Sequence, residues 1–152
     1  MRLFLLKGLR RILAKRKKYP ECPPLSATKK EIGAFGECYT VIYLEKQGYT
    51  IRERNLRLHK HELDIVAEKD NMIIFCEVKT RYYAPNWLET YGRPAQGITK
   101  DQISNIRHAA ASYIKRVRGN YSFRFDVAEV YLTQGDKNFK IEKFNYIETA
   151  YR

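Results

Sequence analysis

The sequence predicts an α+β domain with a mostly antiparallel sheet, and three observations predict it. Two stretches repeat their apolar residues with a helical period, and five shorter ones are rich in β-branched and aromatic residues. Their order is helix, three strands, helix, two strands. A chain of 152 residues with 44% apolar side chains has the length and composition of one domain with one core.

The elements follow in order. Residues 1–18 place Leu3, Leu6, Leu9, Ile12 and Leu13 at helical spacing between eight basic side chains and no acid, and Pro20, Pro23 and Pro24 follow. Residues 1–25 therefore read as a basic arm, either an amphipathic helix or a solvated tail, on a proline-stiffened linker; residues 26–152 form the domain. The domain opens at Thr28, which can cap a helix while Glu31 reaches back, and Ile32, Phe35, Tyr39, Ile42 and Tyr43 recur until Gly48. A short mixed strand spans Tyr49 to about Leu58. Two runs, Glu62–Glu68 and Met72–Thr80, flank a Lys69-Asp70-Asn71 turn signal and predict an antiparallel hairpin. Tyr82 to Thr99 has no steady period and reads as a long loop. A second helix runs from about Lys100 to Val117, closed by Gly119 and Asn120. The last strands are Tyr121–Leu132 and Phe139–Ile147, around a turn at Gln134–Asn138.

Charge narrows the function classes. The net charge is +12, but the eight bases of residues 1–18 leave 21 bases against 17 acids in the rest. Two-thirds of the excess sits on the arm, so the domain is nearly balanced and its polyanion-binding surface must be local. Three cysteines without paired spacing (Cys22, Cys38, Cys76) indicate neither a disulfide framework nor a zinc knuckle, and fit a reducing cytoplasm. No run approaches the ~20 apolar residues of a spanning helix.

The hairpin carries the chemistry. If Asp70 and Asn71 are the central turn residues, Lys69 opposes Met72, Asp64 opposes Glu77 and Glu62 opposes Lys79, and these four charges share one face. Met72–Cys76 is apolar on both faces, as in a strand covered on both sides. Charges emerging from such a strand need partners or a metal, and oxygen-only carboxylate ligation suits Mg²⁺ or Mn²⁺. The alternative is a wet hairpin face with alternating charges.

Together these residues resemble the restriction-endonuclease-like PD-(D/E)xK nucleases, and more closely the YraN-like predicted endonucleases, which are similar to archaeal Holliday-junction resolvases. The resemblance covers about residues 31–132. It rests on Gly36-Glu37, Gly48-Tyr49, Asn55 with Arg57, Glu62-Leu63-Asp64-Ile65, Glu77-Val78-Lys79-Thr80-Arg81, Tyr91-Gly92 with Pro94, Lys100, and Arg124-Phe125-Asp126-Val127. It implies a restriction-endonuclease-like core, a metal-dependent hydrolysis of phosphodiester bonds in DNA, branched DNA included, metal ligation by Asp64 and Glu77, a catalytic Lys79, and an added acid from Glu37. Asn55, Arg57, Arg81, Lys100 and Arg124 would contact nucleic acid. Two departures stand out: His61 where the family usually has glycine, and a longer loop after Arg81.

Other residues keep two readings. Arg54, Arg57, Arg81, Arg93, Lys100 and Arg124 could line a phosphate-binding rim. Tyr82, Tyr83, Trp87 and Tyr91 either stack on unpaired bases or form a lid. His59 and His61 could bind a transition metal but lack a third nitrogen or sulfur ligand in the sequence pattern, which favours a surface role. Cys38 and Cys76 read as core residues. The partners implied are DNA first, an anionic membrane surface through the arm, and a second copy in a homodimer; the alternative function is nucleic-acid binding without cleavage on the same scaffold.

Overall fold

A computed structural model describes residues 17–83 and 98–151. The elements come in the predicted order: α1 Lys29–Lys46, β1 Thr50–Leu58, β2 His61–Lys69, β3 Met72–Tyr82, α2 Lys100–Ile114, β4 Ser122–Gln134 and β5 Phe139–Ile147. The fold is α+β, with one sheet ordered β1-β2-β3-β4-β5. All neighbours are antiparallel except β3 and β4, which run parallel. A parallel pair cannot be closed by a tight turn, and the connection from β3 to β4 contains α2.

Both faces of the sheet are covered. Val41 and Leu44 of α1 pack on Ile65, Ala67, Ile74, Cys76 and Ala128. On the opposite face Ile106, Ala109, Ala110 and Tyr113 of α2 meet Leu63, Val66, Ile73, Phe75 and Phe125. The central strand β3 thus buries Ile73, Ile74, Phe75 and Cys76 in succession, which is why its sequence reads as continuously apolar. Any polar side chain farther along it leaves the core at a defined place.

Local signals hold the frame. Thr28 accepts from the Glu31 backbone N–H, and the Glu31 carboxylate accepts from the Thr28 N–H at 2.7 Å, the reciprocal cap predicted for α1. The second helix ends at Ile114, three residues before the predicted Val117. Arg116 N–H and Val117 N–H bond to the carbonyls three residues back, so the final turn tightens and leaves the α-helical path. Residues 17–25 lie on the domain: Lys17 pairs with Glu45 at 2.6 Å, Tyr19 stacks on Tyr39 at 4.3 Å, and Leu25 N–H bonds to the Lys137 carbonyl. The arm over residues 1–16 is outside the described residues. Among those described, no helix is long and apolar enough to cross a membrane, and all three cysteines are free.

One glycine sets the helix-to-sheet distance. A Cβ on Gly36 would lie 1.9 Å from Oγ1 of Thr80, whereas one on Gly33 would meet nothing within 4 Å. Gly36→Ala is therefore expected to push α1 off β3 and lower stability by about 1–3 kcal/mol, with Gly33→Ala neutral or slightly stabilising. Urea midpoints of the two variants check this; equal midpoints would remove the steric argument.

Candidate active site

Asp70 and Asn71 both adopt left-handed φ (50° and 59°), which turns β2 into β3 in two residues. The register then runs as predicted, from Lys69 opposite Met72 to Ile65 opposite Cys76. There the ladder ends. Asp64 accepts the Val78 backbone N–H at 2.8 Å, so a carboxylate replaces the main-chain acceptor and the strands part. The predicted opposition of Glu62 and Lys79 does not form. Glu62 faces β1, opposite Arg57 and 3.2 Å from its Nε, while Lys79 bonds to Glu77 at 2.7 Å.

Asp64, Glu77 and Lys79 are all largely withdrawn from water; the Glu77 and Lys79 side chains are 14% and 20% exposed. Burial, and then the neighbouring Glu77 charge, push the Asp64 carboxyl up to about 7. Glu37 adds to the push, while the Val78 N–H and Lys79 oppose it. The Glu77 charge therefore disfavours the ionised form of Asp64, and added positive charge would favour it.

A pH dependence follows. In the unfolded chain Asp64 ionises near pH 4, whereas in the folded protein it keeps its proton to about pH 7. The unfolded state releases the proton first, so this group lowers folding stability as pH rises through that window, by on the order of a few kcal/mol, and its cost is fully present above it. Metal-free wild type should lose stability relative to Asp64→Asn between pH 4.5 and 7.5 in urea titrations. Parallel pH profiles would refute the assignment.

The helix contributes to the same place. Glu37 of α1 accepts from Asn55 Nδ2 at 2.9 Å, and Asn55 holds a left-handed φ of 48° that Asn tolerates better than most residues. The structure thus joins Glu37 to Asn55, and Asp64 to Glu77 and Lys79, with the Glu37 charge felt at Asp64. Among the described residues no three His, Cys, Asp or Glu side chains form a ready metal cage. Asp64 and Glu77 remain the candidate pair.

Comparison with known proteins gives these positions a context. The model of the uncharacterised protein family UPF0102 matches residues 36–130, which include Glu37, Asn55, Asp64, Glu77 and Lys79. The chain belongs to the UPF0102 family. A UPF0102 protein of Clostridium botulinum (strain Hall) is 41% identical over 115 residues, covering 74% of this chain and 89% of the relative. One of Clostridium acetobutylicum is 38% identical over 124 residues, covering 81% and 95%.

In this UPF0102 chain the remaining predicted contacts lie on four different elements. Arg57 is exposed beside Glu62, and Lys100 is exposed at the first residue of α2. Arg81 lies half-buried, in register with Tyr131 of β4. Arg124 is not brought to the acidic group: its guanidinium donates to Asp126 at 2.8 Å through both Nε and Nη2, and also to Glu148 and Tyr49. Trp87, Tyr91 and Arg93 are outside the described residues. Tyr82 and Tyr83 are exposed, and the Tyr83 ring stands edge-on to Tyr131.

Sequence reasoning missed two neighbours of the site. Tyr151 stacks on Phe125 at 5.3 Å, and burial followed by the charge of Glu77 raises its hydroxyl pKa. Nothing in its local pattern signals this, because contact arises from the return of the chain after β5. Glu129, in register with Lys79 on β4, is fully buried and accepts from the Tyr131 hydroxyl at 3.0 Å. Its signal was present: one acid inside the apolar run Val127 to Leu132.

Proposed function

We propose that this protein is a metal-dependent endonuclease of the PD-(D/E)xK type that hydrolyses phosphodiester bonds in DNA, branched DNA included. The observation that carries the reading is the parting of β2 and β3 at Asp64, which places its carboxylate beside the Glu77–Lys79 pair at the end of a buried strand. The resemblance in residue type and order supports it, as does membership of a family whose matched segment contains all these positions.

The donor set fits a hard cation. Burial and then the neighbouring Glu77 charge keep a proton on Asp64 to near neutrality, and Mg²⁺ or Mn²⁺ held by the two carboxylates would replace it and bind phosphate oxygens. When bound, the ion supplies charge neutralisation at the phosphate. Lys79, held by Glu77 at 2.7 Å, carries the positive charge that stabilises the attacking oxygen and the charge developing on the phosphoryl group. Glu37 adds negative charge near Asp64 and is oriented by Asn55.

The test is an assay of the full chain on duplex, single-stranded and four-way-junction DNA with Mg²⁺, Mn²⁺ or EDTA, beside Lys79→Ala. Cleavage that needs the metal and vanishes in Lys79→Ala supports the reading. Binding without cleavage under any metal overturns it in favour of a nucleic-acid-binding protein on this scaffold.

A further inference from the structure

The turn between β1 and β2 and the flank of α2 enclose an open cleft of about 560 Å³. It is lined by His59, Lys60 and His61 from the turn and by Ser104, Asn105, His108 and Ser112 from the helix. None of these side chains is acidic, and every one can donate a hydrogen bond. A cleft lined by hydrogen-bond donors without a carboxylate, in a domain whose charges otherwise nearly balance, suits an anion better than a cation.

The three histidines come together only in the fold. The rings of His61 and His108 stack at 5.9 Å although 47 positions separate them in sequence. His108 Nδ1 is 2.8 Å from the Ser104 carbonyl, a contact that orients its ring. His59 holds a left-handed φ of 58° at the first position of the turn, an uncommon backbone for a residue other than glycine. Partial burial, then Lys60, His108 and His59, lower the pKa of His61, as expected where basic groups crowd with no acid among them. These three imidazoles do not converge as a metal cage, so their shared feature is hydrogen-bond donation.

Position supplies the second argument. His61 precedes Asp64 by three residues on β2, or about 10 Å along an extended strand. The cleft therefore opens at the same end of β2 as the acidic group. His61 also stands where the family resemblance calls for glycine.

We propose that the His59-Lys60-His61 turn and His108 form a phosphate-binding cleft that grips the DNA backbone. The inference rests on the nuclease reading only for its substrate. Backbone contacts made here position the nucleic acid and carry no sequence information.

Binding of a fluorescein-labelled 20-bp duplex is measured by anisotropy in EDTA, where no hydrolysis interferes, for wild type, Lys60→Ala, His61→Gly and His61→Gly/His108→Ala. The expected result is 3- to 10-fold weaker binding in each variant. The slope of log affinity against log salt should be shallower by about one for Lys60→Ala. Urea midpoints close to wild type establish that the exposed substitutions leave the fold intact. Affinities within two-fold of wild type for all three variants overturn the proposal, as does weaker binding with an unchanged slope for Lys60→Ala. A protein that binds through the cleft yet never cuts would sink the nuclease reading and leave this one standing.

Discussion

Asp64→Asn is expected to lower Mg²⁺-dependent cleavage of DNA by about 10³-fold or more while leaving the fold intact and the metal-free protein more stable at pH 7.5. The two effects have opposite signs because the same charge is involved in both. Under the proposed reading the carboxylate would be a metal ligand that an amide replaces poorly, and loss of one preorganised electrostatic group costs about 10²–10³-fold in rate even where the metal remains. In the metal-free fold that carboxylate is a liability, buried against Glu77. Asparagine keeps an oxygen that can accept the Val78 N–H, now 2.8 Å from Asp64 Oδ2. Alanine does not, and Asp64→Ala should cost about 1–3 kcal/mol from the unsatisfied backbone donor. Single-turnover cleavage and urea unfolding of both variants separate these contributions. Asp64→Asn cutting within ten-fold of wild type would refute its role as a ligand.

The largest loss of stability is expected from Arg124→Ala, about 3–5 kcal/mol. Asp126 is completely buried and accepts four bonds, two from the Arg124 guanidinium, one from the Tyr146 hydroxyl at 2.7 Å and one from the Thr149 N–H at 3.0 Å. The Asp126 carboxylate holds the Arg124 guanidinium proton more firmly than usual. Removing the cation leaves a carboxylate in the sheet with only neutral donors, the case in which breaking a buried pair costs most. Arg124→Lys should recover part of the loss, because a lysine restores charge but not the two-pronged contact. Adding Asp126→Asn to Arg124→Ala should recover more. A midpoint for Arg124→Ala within 0.5 kcal/mol of wild type, ~0.5 being the usual effect of a surface change, would mean that Asp126 finds another partner.

These two residues show what a sequence can and cannot carry. Asp64 was legible because its chemistry is local: a two-residue turn and strand parity place it near Glu77 from residue counting alone. Counting also overshot, since it continued the ladder to Glu62 and Lys79 and did not foresee a side chain replacing a backbone acceptor at Asp64. Arg124 looked like one more base for a phosphate rim because its pairing with Asp126, two residues on along the same strand face, went unread, and its other partners Tyr49 and Glu148 lie 75 and 24 positions away. Element order and the Thr28 cap of α1 were readable for the same reason that Asp64 was, each being decided within a few residues. Tyr151 and the histidine cleft are set by which strand returns beside which helix, and no local pattern encodes that. Thr80, whose hydroxyl packs against Gly36, likewise becomes meaningful only once α1 is laid across β3.

The single parallel junction, between β3 and β4, divides assembly of the site into two stages. β2 and β3 are joined by two residues and can pair within microseconds, whereas β4 must return across the whole connection from Tyr83 to Tyr121 before it can add its eleven registered pairs. In that order of pairing the acids would approach each other first in a solvated hairpin, where water screens their repulsion. They are desolvated only when β4 and α2 close over the sheet. The electrostatic cost of the site falls on the late, long-range step of folding, and the early hairpin forms without opposition from the charges it brings together.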